Sequence, residues 1–221
     1  MDEKLYGYMN WPRIEAIVYG EEASPRDVMG PRITQDGVLV QGFFPDAEEV
    51  SVISGKKTYV CEKEDEAGYF AALLPVRKVP EYKFCVKIGE TVTESYDPYA
   101  FACQITEEEE KAFCAGVYYE AYKKLGAHLM EINGVKGTLF AVWAPNAISV
   151  NIAGDFNGWI GRATIMHRMP MSGIFELFVP GVEAGTHYKY EIKVKGGEVL
   201  LKADPYGNSA EHDSEGASVV A

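Results

Sequence analysis

A chain of 221 residues with a formal net charge of −12 has room for two domains of about 100 residues each, and its surface repels nucleic acid and anionic membranes while leaving a neutral polysaccharide unopposed. With 47% hydrophobic and 24% charged residues it can bury a core, and no apolar run reaches the roughly 20 residues of a membrane span. The start, "MDEKLYGYMN", carries no secretory pattern, so a cytoplasmic setting is expected, with neither nucleic acid nor membrane as partner.

In chain order, "NWPRIEAIVYGEEASPRDVMGPR" (10–32) predicts a short helix and turn packed on the first domain, anchored by Trp11. Short strands broken by Gly, Pro and Asn come next, the pattern of all-β sandwiches. Four of these stretches occur twice. "FFPDAEEVSVISG" (43–55), "GYFAALLP" (68–75), "EYKFCVKIGE" (81–90) and "DPYAF" (97–101) return as "WAPNAISVNIAGD" (143–155), "GIFELFVP" (173–180), "HYKYEIKVKGGE" (187–198) and "DPYGN" (204–208). Pro45 lies over Pro145, Ala47 over Ala147, Val50 over Val150 and Lys83 over Lys189. Such self-similarity predicts two copies of one fold, each of roughly 75–95 residues. The second copy is longer in one place, where "GDFNGWIGRATIMHRMPMSG" replaces "GKKTYVCEKEDEAG".

Strand alternation assigns faces. In "HYKYEIKV", Tyr188, Tyr190, Ile192 and Val194 oppose His187, Lys189, Glu191 and Lys193. The first copy sets Tyr82, Phe84, Val86 and Ile88 against Glu81, Lys83, Cys85 and Lys87, and both apolar rows are predicted core. Trp143 alternates with Leu139 and Ala141 in "TLFAVWAP" and reads as core as well.

Between the copies, "TEEEEKAFCAGVYYEAYKKLGAH" (106–128) predicts an amphipathic connecting helix. Thr106 and Glu109 fit a capping box, Lys123 and Lys124 suit the last turn, and Gly126 suits the C′ position. Phe113, Val117 and Ala121 recur at four-residue spacing, and the run "EEEE" reads as a solvated helix N-terminus. Cys61, Cys85, Cys103 and Cys114 form no CxxC pair, so reduced thiols are expected. His128, His167, His187 and His212 lack ligand spacing, and neither metal nor cofactor is expected.

The turn "GDFNGW" (154–159) places two aromatic rings where chains are usually polar. A sugar ring has an apolar face of C–H groups that stacks on an aromatic face, while its rim hydroxyls need amide, carboxylate or ammonium partners. Trp159 could be the plate, Asn157 and Asp155 the hydrogen-bonding groups, and Lys189 on a neighbouring strand a donor. Each has a plainer role open to it. Phe156 can plug the core, Asp155 and Asn157 can satisfy the turn's own amides, and Lys189 can be a surface lysine. For Trp159 three destinations stand open: a glucan, a neighbouring domain, or its own core.

"YKKLGAHLMEINGVKGTLFAVWAPNAISVNIAGDFNGW", with "SGIFELFVPGVEAGTHYKYEI" and "LKADPYGNSAE", resembles the amino-terminal region of bacterial 1,4-alpha-glucan (glycogen) branching enzymes. "GDFNGW…YKYEI…DPY" is similar to family 48 carbohydrate-binding modules, relatives of the glycogen-binding domain of AMP-activated protein kinase. "IEAIVYGEEASPRDVMGPR" resembles the opening of the extra first domain of many bacterial branching enzymes. The resemblance covers nearly the whole chain in order. It implies an all-β fold of two tandem immunoglobulin-like β-sandwiches joined by a helical linker. The expected boundaries are 1–104 for the first module with its leading helix, 105–127 for the linker and 128–221 for the second module.

Branching enzymes of this kind continue into an alpha-amylase-type (β/α)₈ barrel, which supplies a nucleophilic Asp and an acid/base Glu. A barrel needs about 250 residues, and none of its active-site motifs occurs here; "HDSEG" (212–216) reads as a turn in the second module's tail. No catalytic residue is assigned, and the chain is expected not to catalyse alone. The partners implied are α-1,4-glucan or glycogen, bound weakly, and a catalytic barrel. Trp159 and Lys189 match the kinase-type module's first stacking ring and its lysine. That module's second tryptophan has no counterpart in "VKGGEVLLKAD", nor has its late Asn in "GASVVA". One plate in place of two implies a Kd of about 0.1–1 mM. The first copy has "SGKKTY" where the second has "GDFNGW", so its role is expected to be structural.

Overall fold

The computed structural model describes residues 3–211 and 216–221; the acids of the predicted tail turn, 212–215, lie outside the described residues. The chain forms two compact units, Met1–Tyr19 with Pro25–Ala100, and Gly20–Ser24 with Phe101–Ala221.

In the first unit, two short helices stand where one was expected, α1 (Glu3–Tyr8) and α2 (Trp11–Val18). The α2 helix buries Ile14 and Ile17, and the Trp11 ring packs 5.0 Å from Tyr6. The strands of this unit are β1 (Arg32–Ile33), β2 (Val38–Phe43), β3 (Glu49–Ser54), β4 (Lys57–Val60), β5 (Glu62–Asp65), β6 (Tyr69–Leu74), β7 (Lys83–Ile88) and β8 (Thr91–Tyr96). They pair as two antiparallel sheets, ordered β1-β2-β6-β5 and β4-β3-β7-β8. Val38, Val40, Val50, Val52, Phe70, Leu74, Phe84 and Val86 form the core between them. Ile88, expected in that row, is 48% exposed because β7 runs past the core there.

The "DPY" motif closes this unit. Asp97 is 2% exposed, accepts a hydrogen bond from the Tyr82 hydroxyl at 2.5 Å and another from the Tyr99 amide at 2.9 Å. Burial pushes its carboxyl up to about 6, against the lowering effect of those donors. The folded state therefore takes up this proton before the unfolded state does, so Asp97 favours folding more as pH falls from about 6 toward its ordinary 3.8. Urea unfolding should show the wild type gaining about 1 kcal/mol over Asp97→Asn between pH 7 and pH 5.

The second unit begins with α3 (Glu107–Cys114) and a 3-10 turn at Ala121–Lys123. Its strands are β9 (Gly126–Ile132), β10 (Val135–Trp143), β11 (Ala147–Gly154), β12 (His167–Arg168), β13 (Ile174–Pro180), β14 (His187–Val194), β15 (Val199–Lys202), β16 (Ser209–Ala210) and β17 (Ser218–Val219). One sheet runs β12-β13-β10-β9, the other β11-β14-β17-β16, with β15 also on β14. The repeat reappears in register. Val50 faces Val86 and Val52 faces Phe84, as Val150 faces Ile192 and Ile152 faces Tyr190. Gly42 opposite Phe70 likewise matches Val142 opposite Phe175. Gly68 and Gly173, equivalent turn residues, both take positive φ, and a Cβ on Gly173 would stand 2.7 Å from the Pro145 Cα.

The predicted helix of the linker is shorter than expected. Its capping box forms as read, with Thr106 Oγ1 accepting from the Glu109 amide and Glu109 Oε2 from the Thr106 amide. The helix then stops, because Gly116 takes the left-handed C′ conformation at φ +71°, and Gly126 opens β9 instead. The helix and the segment after it sit on the outer face of the β10/β13 sheet, where Phe113 and Ala121 pack against Ile105, Leu125, Ala141, Met169 and Ile174. Two buried carboxylates fix them there. Glu110, read from sequence as solvated, is 1% exposed and accepts from the Met171 amide, the Ser172 amide and the Ser172 hydroxyl at 2.7–2.9 Å. Glu176, 2% exposed, accepts from the amides of Gln104 and Ile105.

Trp143 also departs from expectation. Leu139 and Ala141 of its row are buried, Ala141 under this second apolar layer, whereas Trp143, at the strand's end, is 53% exposed. Strand alternation gives the face a residue takes, but not how far along the strand the covering reaches. A five-residue strap, Gly20–Ser24, completes this unit. The Ser149 hydroxyl donates to Gly20 O at 2.6 Å, the Arg168 amide to Ala23 O at 2.7 Å, and Lys193 pairs with Glu21 at 3.1 Å.

Candidate functional site

The β11 strand ends at Gly154 and enters a 3-10 turn at Asp155–Asn157. Asn157 builds this turn from within. Its Oδ1 accepts from the Gly154 amide at 3.0 Å, and its Nδ2 donates to Ile152 O at 2.7 Å and Thr164 Oγ1 at 3.0 Å. Those contacts use both its acceptor and its two donor hydrogens. Phe156 turns inward and stacks on Phe140, 6.1 Å away at 29°.

Gly158 and Trp159 then both take left-handed backbone, at φ +61° and +63°. For a tryptophan this costs roughly 1–2 kcal/mol. The Trp159 amide donates to Gly154 O at 2.9 Å, and the indole Nε1–H donates to Asp155 Oδ1 at 3.2 Å. The ring is 40% exposed. Its polar edge is thus held while much of its surface meets solvent, which removes burial in its own core from the three destinations.

Asp155 is the clamp. Its Oδ2 accepts from both the backbone amide and the ring Nδ1 of His187, each at 2.9 Å. The His187 amide is the main cause holding its carboxyl below the usual 3.8, against partial desolvation, with further lowering from the His187 ring and Trp159. The carboxylate is charged at neutral pH, and its contribution is lost only as pH falls through that lowered value. His187 was among the scattered histidines in the sequence; its place at the head of β14, across from β11's end, was the signal available. Lys189, two residues on, lies in the same outward row, with its Cα paired to Ala153, the residue before Gly154. The loop after Trp159 folds over that row as well, since a Cβ on Gly161 would meet the Glu191 carboxylate at 2.6 Å.

The turn therefore joins Asp155 and Trp159 by a direct hydrogen bond, holds Asn157 on Gly154, Ile152 and Thr164, and sets Lys189 one strand away. Among the described residues, no group of three or more His, Cys, Asp or Glu side chains is arranged to hold a metal, and no helix is long and apolar enough to cross a membrane. No disulfide joins the four cysteines, and burial pushes the Cys61 thiol up to about 12.

The second unit is a β-sandwich of the carbohydrate-binding-module class, since the family described as "Carbohydrate-binding module 48 (Isoamylase N-terminal domain)" matches residues 124–207. Residues 10–99 match "alpha-1,4-glucan branching enzyme GlgB, N-terminal domain". With the two matched in that order, the chain belongs to the amino-terminal region of the 1,4-alpha-glucan branching enzyme family.

Curated relatives agree. The 1,4-alpha-glucan branching enzyme GlgB of Saccharophagus degradans is 40% identical over 94% of this chain and 29% of its own length. That of Synechococcus sp. (strain CC9902) is 38% identical over 89% of this chain and 26% of its own. The chain thus spans between a quarter and a third of these relatives. Among solved structures, a pullulanase from Anoxybacillus sp. LM18-11 complexed with maltotetraose aligns over 83% of this chain and 25% of its own, at 20% identity and a TM-score of 0.38.

Proposed function

We propose that this chain serves glycogen synthesis without catalysing, its second unit holding α-1,4-glucan weakly and presenting it to a catalytic (β/α)₈ barrel. In this reading Trp159 stacks on the apolar face of a glucose unit and Lys189 donates to a rim hydroxyl. Asp155 keeps the indole from rotating, and Asn157 shapes the turn rather than touching sugar. The observation that carries the reading is a 40% exposed indole whose own N–H is already satisfied, so that the ring face is what remains to be recognised. Cytoplasmic placement accompanies the same reading, since glycogen is an intracellular polymer.

Maltoheptaose titration followed by tryptophan fluorescence tests it. Saturation is expected with a Kd on the order of 0.1–1 mM, or about −4 to −5.5 kcal/mol. Trp159→Ala should weaken it at least tenfold, about 1.4 kcal/mol. A titration to tens of millimolar that leaves Trp159 unperturbed rejects direct binding and favours a role in packing against the barrel.

A further inference from the structure

The Trp159 indole ends a longer chain of contacts. Its Nε1–H donates to Asp155 Oδ1 at 3.2 Å, and Asp155 Oδ2 takes the His187 amide and ring Nδ1, each at 2.9 Å. The far side of the same imidazole meets a second acid, with His187 Nε2 standing 3.6 Å from Glu211 Oε1. Glu211 follows β16, and its own amide is anchored on Ala217 O at 2.9 Å, beside the start of β17. His187 thus sits between two carboxylates, one on the turn that carries Trp159 and one outside it.

The charges decide what this arrangement does. Asp155 is ionised at neutral pH, so the Nδ1 facing it carries the hydrogen, and a neutral ring is left with a lone pair at Nε2. That lone pair stands against Glu211 Oε1, acceptor against acceptor. Protonation turns Nε2 into a donor and shares one positive charge between the two acids. Imidazole is the side chain whose charge changes between pH 5 and 8. Among the described residues, the strands packed around the ring bring little further charge. The β17 strand meets it with Ser218 and Val219, β11 ends in Gly154, the turn before it carries Glu183, and Lys189 is the next charge in its own row. His187 and Glu211 are both partly exposed, so the gain is that of a screened pair, a few fold in an equilibrium.

We propose that His187 and Glu211 are positioning residues of the Trp159 plate, acting through Asp155, so that glucan binding strengthens as His187 takes up a proton; the choice of ligand rests on the reading that Trp159 stacks on α-glucan. An imidazolium held from both sides keeps the Asp155 carboxylate from turning. The indole that hangs from its other oxygen then keeps its open face in place. By linkage, a bound glucan raises the proton affinity of His187 by the same factor.

The chain contains three tryptophans and four histidines, so a ¹⁵N-labelled sample resolves their ring signals, assigned by single Trp→Phe and His→Gln variants. Without sugar, the Trp159 indole signal should follow the His187 ring signals between pH 5 and 8 with a common midpoint. In His187→Gln the Trp159 signal should stay flat over that range. Glu211→Gln, which leaves the turn itself untouched, should move the shared midpoint to lower pH. Maltoheptaose should bind the wild type about threefold more tightly at pH 5.5 than at pH 8, and His187→Gln equally at both. A wild-type Trp159 signal that ignores His187, a midpoint unmoved in Glu211→Gln, or a maltoheptaose Kd that is the same at both pH values overturns the positioning role and leaves the glucan reading standing. An indole that follows His187 while maltoheptaose binds at neither pH upholds the contact chain and overturns the glucan reading, and the link to binding with it.

Discussion

Asp204→Ala is expected to lower the stability of the second unit by about 3–5 kcal/mol, a large part of the 5–15 kcal/mol typical of a domain. Asp204 is 8% exposed and gathers three donors. The hydroxyls of Tyr188 and Tyr190 donate to its Oδ2 at 2.6 and 3.0 Å, and the Tyr206 amide to its Oδ1 at 2.8 Å. Both tyrosines have no measurable exposure. Burial, with the nearby carboxylate, pushes their phenols up, so they are neutral donors at any ordinary pH. Alanine leaves two buried hydroxyls and an amide with no acceptor, each worth about 1–3 kcal/mol. Tm should fall on the order of 10–20 °C. In Tyr188→Phe/Tyr190→Phe the same substitution should cost far less, because the groups it strands are already gone. A loss below about 1 kcal/mol in the otherwise unaltered chain would refute the assignment.

Glu110→Ala is expected to cost about 2–4 kcal/mol and to release α3 from the sheet. It strands two amides and a hydroxyl, of which the Ser172 groups are buried. Amide hydrogen exchange across 105–125 should rise well before global unfolding. Glu107→Ala, three residues earlier in the same acidic run, should cost under about 0.5 kcal/mol. Among the described residues Glu107 pairs with Lys111 alone, and both side chains are more than half exposed. Equal losses for the two would contradict the buried role of Glu110.

The repeat was legible in the sequence because hydrophobic alternation and turn residues are local, and matching them fixed equivalent strands well enough that the registers coincide. The helix cap was legible for the same reason. Glu110 was not, since its partners lie 61 and 62 residues away and a charge run at a helix start is ordinarily solvated. The "DPY" pairs were visible as a repeat, but the use of each Asp as a buried acceptor for strand tyrosines depends on packing that spacing does not encode. Trp143 was misjudged by its position at a strand end. For the candidate site, "GDFNGW" gave the turn and its residue types. That Asn157 turns inward, and that His187 braces Asp155, depended on the neighbouring strand.

The strap at Gly20–Ser24 has a consequence for biogenesis. Its anchors come late: Ser149 lies 129 residues beyond Gly20, and Lys193 lies 172 beyond Glu21. At translation rates of about 5–20 residues per second, the strap waits roughly 6–26 s for Ser149 alone to be made. Throughout that interval the first sandwich can mature on the ribosome, while the five residues of the strap stay open to chaperones and proteases until the second sheet emerges.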